Sequence, residues 1–293
     1  MTRVGWIGLG AMGHPMASCA GRAGHEVTAY DIDPGRAASL AGDGVKGAPT
    51  ISQAATGAEV LVLMVATPAQ VESVLFGEDA AAPALEPGAV VLVMATVGPA
   101  PLQQWADQLA GQNVEIVDAP VSGGVRRAAT GDLLVMVGGS DSAVQRARPV
   151  LDAIAGHAPV VGSTPGDGQK VKLVNQLLCG VHIAVAAEAL AYAEAMGLDA
   201  AATFEVIRGG AAASFMLDDR GERMVGPSDE VKSALDLFVK DMGLVLDAAR
   251  SNSFPTPLAT AAEQLYLAGH RAGLGRRDDS SVIEILRGSP ARS

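Results

Sequence analysis

The sequence predicts an α/β fold: a doubly wound, largely parallel sheet in the first half, joined by one long helix to an all-α second half. Three observations predict it. Short apolar runs alternate with helix signals up to about residue 163, the stretch Gln169 to Met196 has no proline and a single glycine, and only helical patterns follow. Continuous apolar strands alternating with helices belong to a parallel sheet covered on both faces.

The first strand is Arg3–Gly8, and Met12 to Gly21 reads as the helix after it, with Gly8-Leu9-Gly10-Ala11-Met12-Gly13 between them. Phosphate binding needs this order of parts. The first glycine permits the tight turn, the second lets a pyrophosphate approach the backbone, and the third lets helix and strand pack closely. The free N–H groups and positive dipole end of the helix then face the anion. The second strand, Glu26–Asp31, ends on a carboxylate, where a Rossmann-type site presents an acid to the adenosine ribose. An acid there accepts from both ribose hydroxyls and repels a 2′-phosphate, which favours NAD over NADP as the cofactor. The alternative is that Asp31 merely caps the turn Asp33-Pro34-Gly35.

Further strands are expected at Glu59–Val65, Ala89–Ala95, Val114–Asp118, Leu133–Val137 and Pro159–Val161, the last ones spaced closely enough to add antiparallel strands. Thr67-Pro68 marks a helix cap and first position, and Asp141 precedes a helix over Ser142–Ala155. The long helix, about 168–197, spans about 40 Å. It is apolar on nearly every face, so it must be buried, most simply between two domains. The predicted division is an NAD-binding domain at 1–163 and an all-α substrate and oligomerisation domain at 164–293, with a cleft between. Helices are expected at Ala200–Ile207, Ser214–Met224, Val231–Arg250, Leu258–Ala272 and Asp278–Leu286.

Composition narrows the function. Of 293 residues, 49% are apolar and 18% charged, as in a well-buried globular protein, and the scarcity of aromatics leaves the core to Ala, Val, Leu and Met. A net charge of −11 argues against a nucleic-acid partner, while leaving room for a small anionic substrate held by local cations and amides. The two cysteines, Cys19 and Cys179, fall in expected helices and read as core fillers. No basic-then-apolar leader precedes the first strand, and the longest wholly apolar runs, Val60–Ala66 and Ala89–Ala95, are strand-sized. The expectation is a cytoplasmic protein with no membrane partner.

Chemistry concentrates in three places. Asp118-Ala119-Pro120-Val121-Ser122-Gly123-Gly124 follows a strand at the end where such sheets bind ligands. The Ser122 hydroxyl and the amides of Gly123 and Gly124 can cradle a carboxylate, or the segment is only a glycine-rich turn. No G-x-S-x-G elbow makes Ser122 a hydrolase nucleophile. Lys172 and Asn175 share one face of the long helix, with Gln176 beside them. A lysine on a buried helix is costly unless paired or neutral, and burial suits a lysine to proton transfer. Otherwise it snorkels to solvent, as Lys170 on another face is expected to do. Lys240-Asp241 lies mid-helix. The five histidines lack metal-ligand spacing, so no metal is expected; His182 reads as a core residue, and Glu188 and Glu194 as solvated or paired within the second domain.

Together these pieces resemble the 3-hydroxyisobutyrate dehydrogenase family of β-hydroxyacid dehydrogenases over nearly the whole chain. The likeness rests on Gly8 to Ala17, Asp118 to Gly124, Gly166 to Gln176 and Lys240-Asp241. Phe238 to Asp247 and Arg277 to Val282 look most like the L-threonate dehydrogenase branch. The resemblance implies that Lys172 is the catalytic lysine and that Asn175 orients the substrate. It also implies that Ser122, Gly123 and Gly124 bind the substrate carboxylate. Thr96 would lie near the nicotinamide, Met64 and Val65 along the cofactor edge, and Lys240 would reach the cofactor across the closed cleft. Family members often carry Asp and Ser where this chain has Val93 and Ala95, and Pro where it has Ala66. The expected activity is NAD-dependent hydride transfer from a small hydroxy acid, a sugar acid such as L-threonate favoured, by a homodimer or homotetramer. The alternatives are 3-hydroxyisobutyrate or a tartronate or succinic semialdehyde-type reductase. An imine reductase generally lacks a lysine matching Lys172, and a non-catalytic dinucleotide scaffold would not need Lys172, Asn175 and Ser122.

Overall fold

Along the first half, apolar residues alternate between two separate cores, and this decides the architecture. Val4, Trp6, Val60, Val62, Val90 and Leu92 belong to one buried cluster, while Ile7, Leu61, Leu63, Val91 and Val93 belong to another. A strand whose odd and even residues are both buried must be covered on both faces. In the computed structural model, which describes residues 1–226 and 230–287, the chain falls into two compact units, Met1–Lys172 and Leu173 onward. The expected 164–293 domain includes 227–229 and 288–293, which lie outside the described residues.

The first unit holds eleven strands among its described residues: β1 (Arg3–Ile7), β2 (Glu26–Tyr30), β3 (Val45–Gly47), β4 (Val60–Leu63), β5 (Val90–Val93), β6 (Glu115–Asp118), β7 (Val121–Ser122), β8 (Leu133–Val135), β9 (Val137–Gly138), β10 (Ala155–His157) and β11 (Val160–Gly162). The main sheet runs β11-β9-β6-β5-β4-β1-β2-β3. Its parallel portion, read from β3 to β6, has the 3-2-1-4-5-6 order of doubly wound dinucleotide folds, with the switch point beside β1. β9 joins β6 antiparallel, and β10, β8 and β7 form a small second sheet. The helices of this unit are α1 (Gly13–Arg22), α2 (Pro34–Ala38), α3 (Ile51–Ala55), α4 (Pro68–Phe76), α5 (Ala100–Ala110), α6 (Gly124–Ala129) and α7 (Asp141–Ile154). Thr67 caps α4 in a complete capping box with Gln70.

Helix α8 (Asp167–Ala195) runs 29 residues, about 43 Å, and continues from the first unit into the second. The second unit adds α9 (Ala200–Ile207), α10 (Phe215–Val225), α11 (Leu235–Ser251), α12 (Pro257–Arg271), a 3₁₀ turn (Asp279–Val282) and α13 (Ile283–Arg287). Its core is built on Phe204, Leu217, Met224, Phe238, Met242 and Tyr266. The Phe238 and Tyr266 rings stack with centroids 5.3 Å apart, and the Tyr266 hydroxyl donates to the Gly180 carbonyl at 2.8 Å. Arg220 pairs with the fully buried Asp279, and Arg223 with Asp278, fixing α10 on the 3₁₀ turn.

Several expectations are corrected. The run Leu133–Val137 is two strands in two sheets, because the Met136 amide between them turns to the Pro120 carbonyl. Ser140, not Asp141, caps α7, its hydroxyl accepting from Ala143 N–H. Residues 231–234 precede α11 instead of forming its first turn. His182 is half-buried, outside the core. Most consequentially, α8 is not covered all round: Val174, Leu178, Val185 and Tyr192 are exposed. By length and composition alone α8 could cross a membrane, but close to half of its most apolar stretch is buried in the fold. A buried core helix passes the same test.

Candidate active site

The turn after β1 shows what each glycine is for. A Cβ on Gly8 would lie 2.5 Å from the Met64 carbonyl oxygen, and one on Gly13 would lie 2.0 Å from the Gly8 oxygen, so packing alone demands both. Gly10 differs. A Cβ there would meet nothing nearer than Arg36 at 4.0 Å, so the second glycine keeps open space over the turn. That is the cradle a pyrophosphate requires, and the residues fit a dinucleotide. The first bond of α1, His14 N–H to Gly10 oxygen at 3.0 Å, leaves the amides of Ala11, Met12 and Gly13 outside the helix ladder.

Asp31 follows β2, as the sequence requires for a ribose acid. Its Oδ2 accepts from Leu9 N–H at 2.7 Å, tying the acid to the glycine turn, and its Oδ1 accepts from Asp33 N–H at 2.9 Å. The carboxylate thus fixes the following turn, as one of the two sequence readings expected, and is tied to the glycine turn as well. Arg36 lies 3.6 Å from Oδ2. Met64 and Val65, just beyond β4, are half-buried, with the Met64 backbone against Gly8. Val93 and Ala95 are buried around the end of β5, and Thr96 follows them half-buried.

Ser122 ends β7. Gly123 and Gly124 both have positive φ, +134° and +70°, and a Cβ on Gly124 would meet nothing within 4 Å. Gly124 therefore presents open backbone, whereas a Cβ on Gly123 would fall 2.9 Å from Arg127 Cδ. Lys172 is 6% exposed, and its Nζ donates to the Val121 carbonyl at 2.7 Å, immediately before Ser122. The lysine is thus buried against the strand that ends at Ser122 and does not snorkel. Lys170 pairs with Asp167 at 2.8 Å on the surface.

Asn175 stands one helical turn beyond Lys172. Its amide nitrogen donates to Gln176 Oε1 at 2.8 Å, and Gln176 donates in turn to Asp241 Oδ2. Lys240 Nζ lies 2.8 Å from Asp241 Oδ1. In the second unit, therefore, Asn175, Gln176, Asp241 and Lys240 form one chain of contacts. The Lys240-Asp241 pair, uninformative as sequence neighbours, acquires meaning through it. Among the described residues no cluster of His, Cys, Asp or Glu could hold a metal.

Two residues of the site escaped the sequence reading. Gln169 is wholly buried, with its side chain bonded to the backbone of the segment that holds Thr96. Asp118 is wholly buried and accepts from Gly166 N–H at 2.8 Å and Gln169 N–H at 2.7 Å. Both lay inside quoted motifs, and only the cost of burying an amide and a carboxylate marks them out.

A doubly wound sheet with an open glycine turn, an acid after β2 and a buried lysine beside a second glycine turn are the features of a nicotinamide-dependent dehydrogenase. Comparison with known proteins agrees. Residues 3–162 match the family model described as the NAD binding domain of 6-phosphogluconate dehydrogenase. Residues 166–286 match the model described as NAD-binding of NADP-dependent 3-hydroxyisobutyrate dehydrogenase. The chain is 42% identical to an L-threonate dehydrogenase of Escherichia coli K12 over 288 residues, covering 97% of this chain and 95% of that protein. It is 43% identical to one of Cupriavidus necator over 287 residues, covering 97% and 96%. A solved 3-hydroxyisobutyrate dehydrogenase from Salmonella typhimurium superposes with a TM-score of 0.92 at 40% identity, covering 97% of this chain and all of that one. The chain belongs to the 3-hydroxyisobutyrate dehydrogenase family of β-hydroxyacid dehydrogenases, enzymes that oxidise CH–OH groups with a nicotinamide cofactor.

Proposed function

We propose that this chain is an NAD-dependent dehydrogenase of a small polyhydroxylated carboxylate, with L-threonate the favoured acid. The observation that carries the chemistry is Lys172, buried with its Nζ on the Val121 carbonyl at the start of the Ser122-Gly123-Gly124 turn. In the oxidative direction neutral Lys172 takes the hydroxyl proton while hydride leaves the same carbon. In the reverse direction its ammonium returns that proton to the carbonyl oxygen. The bound nicotinamide supplies the two-electron acceptor. Ser122 and the amides of Gly123 and Gly124 hold the substrate carboxylate, and Asn175 holds the hydroxyl. General acid–base catalysis of this kind is worth roughly 10²–10⁴-fold.

Support for the sugar acid comes from relatives named L-threonate dehydrogenase at 42–43% identity across nearly the whole chain. The Salmonella structure, at 40% identity, is named for 3-hydroxyisobutyrate, which makes that acid the second reading. Polar groups set for a substrate hydroxyl are left unpaired by an analogue lacking it, so the two acids should be well separated. The test compares kcat/KM for L-threonate, D-glycerate and 3-hydroxyisobutyrate with NAD⁺ under identical conditions. L-Threonate is expected to lead; a tenfold or larger advantage for the branched alkyl acid overturns the sugar-acid assignment while leaving the lysine chemistry intact.

A further inference from the structure

We propose that Gln169 is a positioning residue that ties the catalytic lysine to the Ala95–Gly98 segment, so that the base is set relative to the nicotinamide within the dinucleotide-binding unit itself. The proposal rests on the reading of Lys172 as the base and of Thr96 as a neighbour of the nicotinamide.

Gln169 is 0% exposed, and its side chain is satisfied by one segment alone. Oε1 accepts from Val97 N–H at 3.0 Å and Gly98 N–H at 3.1 Å, and Nε2 donates to the Ala95 carbonyl at 3.0 Å. These backbone groups flank Thr96 on both sides. An apolar side chain of the same length would fill the space without the cost of burying an amide. What the amide adds is a three-point attachment that fixes where the segment sits.

The helix end of the attachment is equally constrained. Asp118, at the end of β6, accepts from Gly166 and Gln169 N–H, so the first turn of α8 is bolted to the strand beside β5. A Cβ on Gly168 would fall 2.3 Å from the Met136 oxygen and 2.8 Å from Asp118 Oδ2, so the turn is already packed against the sheet. Lys172 lies three residues beyond Gln169, on the same helical face. Its Nζ reaches the Val121 carbonyl, on the segment that follows β6. The Val121 carbonyl, Asp118 and the Ala95–Gly98 segment all belong to the unit Met1–Lys172, although the helix of the lysine continues past it.

Two variants test this: Gln169→Met, which keeps the length but no polar atom, and Gln169→Glu, which keeps the acceptor for Val97 and Gly98. For Gln169→Met the expected result is a kcat at least tenfold lower with NADH affinity, by fluorescence titration, within threefold of wild type. The deuterium isotope effect on the transferred hydrogen should rise, and the pH at half-maximal kcat should move. Gln169→Glu should recover part of kcat, and circular dichroism reports the folded fraction of each. Wild-type kcat and isotope effect in folded Gln169→Met overturn the proposal. So does a loss that only follows the folded fraction, in either variant, with unchanged isotope effect and pH profile. Lys172→Ala is run in parallel. If it keeps turnover, the lysine reading fails and takes this one with it; if it is dead while Gln169→Met behaves as wild type, only the present proposal fails.

Discussion

Lys172 and Asp31 are expected to carry separable tasks, which single substitutions can separate. Lys172 donates its Nζ to the Val121 carbonyl, on the strand that ends at Ser122. Lys172→Ala should therefore lower kcat by about 10² or more, the range of a lost general base. NADH affinity, expected to rest mainly on the Gly8–Gly13 turn and Asp31, should change little; titration by fluorescence beside a steady-state assay reads both. Asp31 is expected to govern cofactor choice. The wild type is expected to prefer NAD⁺, since a 2′-phosphate would meet the carboxylates of Asp31 and Asp33 together. Arg36, ion-paired to both, offers only a shared cation. Asp31→Ser removes one acceptor and one repulsion, so the ratio of kcat/KM for NAD⁺ over NADP⁺ should narrow. A wild type that favours NADP⁺ contradicts the assignment.

At the scale of the element, the start of α8 concentrates the unusual electrostatics. Burial pushes the Asp118 carboxyl up to about 7, against backbone hydrogen bonds from Gly166, Gln169 and its own amide that oppose it and with Asp167 adding to it. A folded value above the ordinary 3.8 means the contribution to stability is full below about pH 4 and is lost as pH rises through 7. Asp278 has the opposite sign. Burial raises it, but hydrogen bonds from Ser280 and Arg223 outweigh this and hold it at about 2. Its contribution is present above pH 3.8 and is lost as pH falls through 2. Melting temperatures followed from pH 4 to 8 should thus show a downward component that Asp118→Asn, unable to ionise, flattens. An unchanged profile in that variant places the titration elsewhere. These elements also mark what the sequence made legible. Gly8–Gly13, Thr67-Pro68 and the bounds of α9 could be read because local chemistry dictates them: a turn, a cap, a run of helix formers. The short strands β3, β7 and β10 could not, since two or three residues carry no period and their pairing is decided by distant partners. Lys172 was legible as a charge on an apolar helix. Gln169 was not, because an amide near a helix start reads as solvated until its burial is known.

For the whole molecule the informative surface is the outer face of α8. Val174, Leu178, Val185 and Tyr192 recur at intervals of four and seven residues, so they fall on one stripe of the helix, and all four are exposed, between 49% and 63%. Phe215, Phe254 and Leu258 add exposed apolar area in the same unit. Scattered apolar residues on a surface need no explanation, but a continuous stripe along a helix does, and a copy of the same chain is the simplest cover. The chain is therefore expected to be a homodimer or homotetramer at micromolar concentration. Light scattering should return at least twice the 29.6 kDa chain mass. Leu178 and Val185 sit on the stripe and take no part in the proposed chemistry, so the double substitution Leu178→Glu, Val185→Glu should leave folding intact and shift the mass to that of the monomer. A monomeric wild type removes the prediction outright. A double variant that stays oligomeric moves the interface to another face of the helical unit.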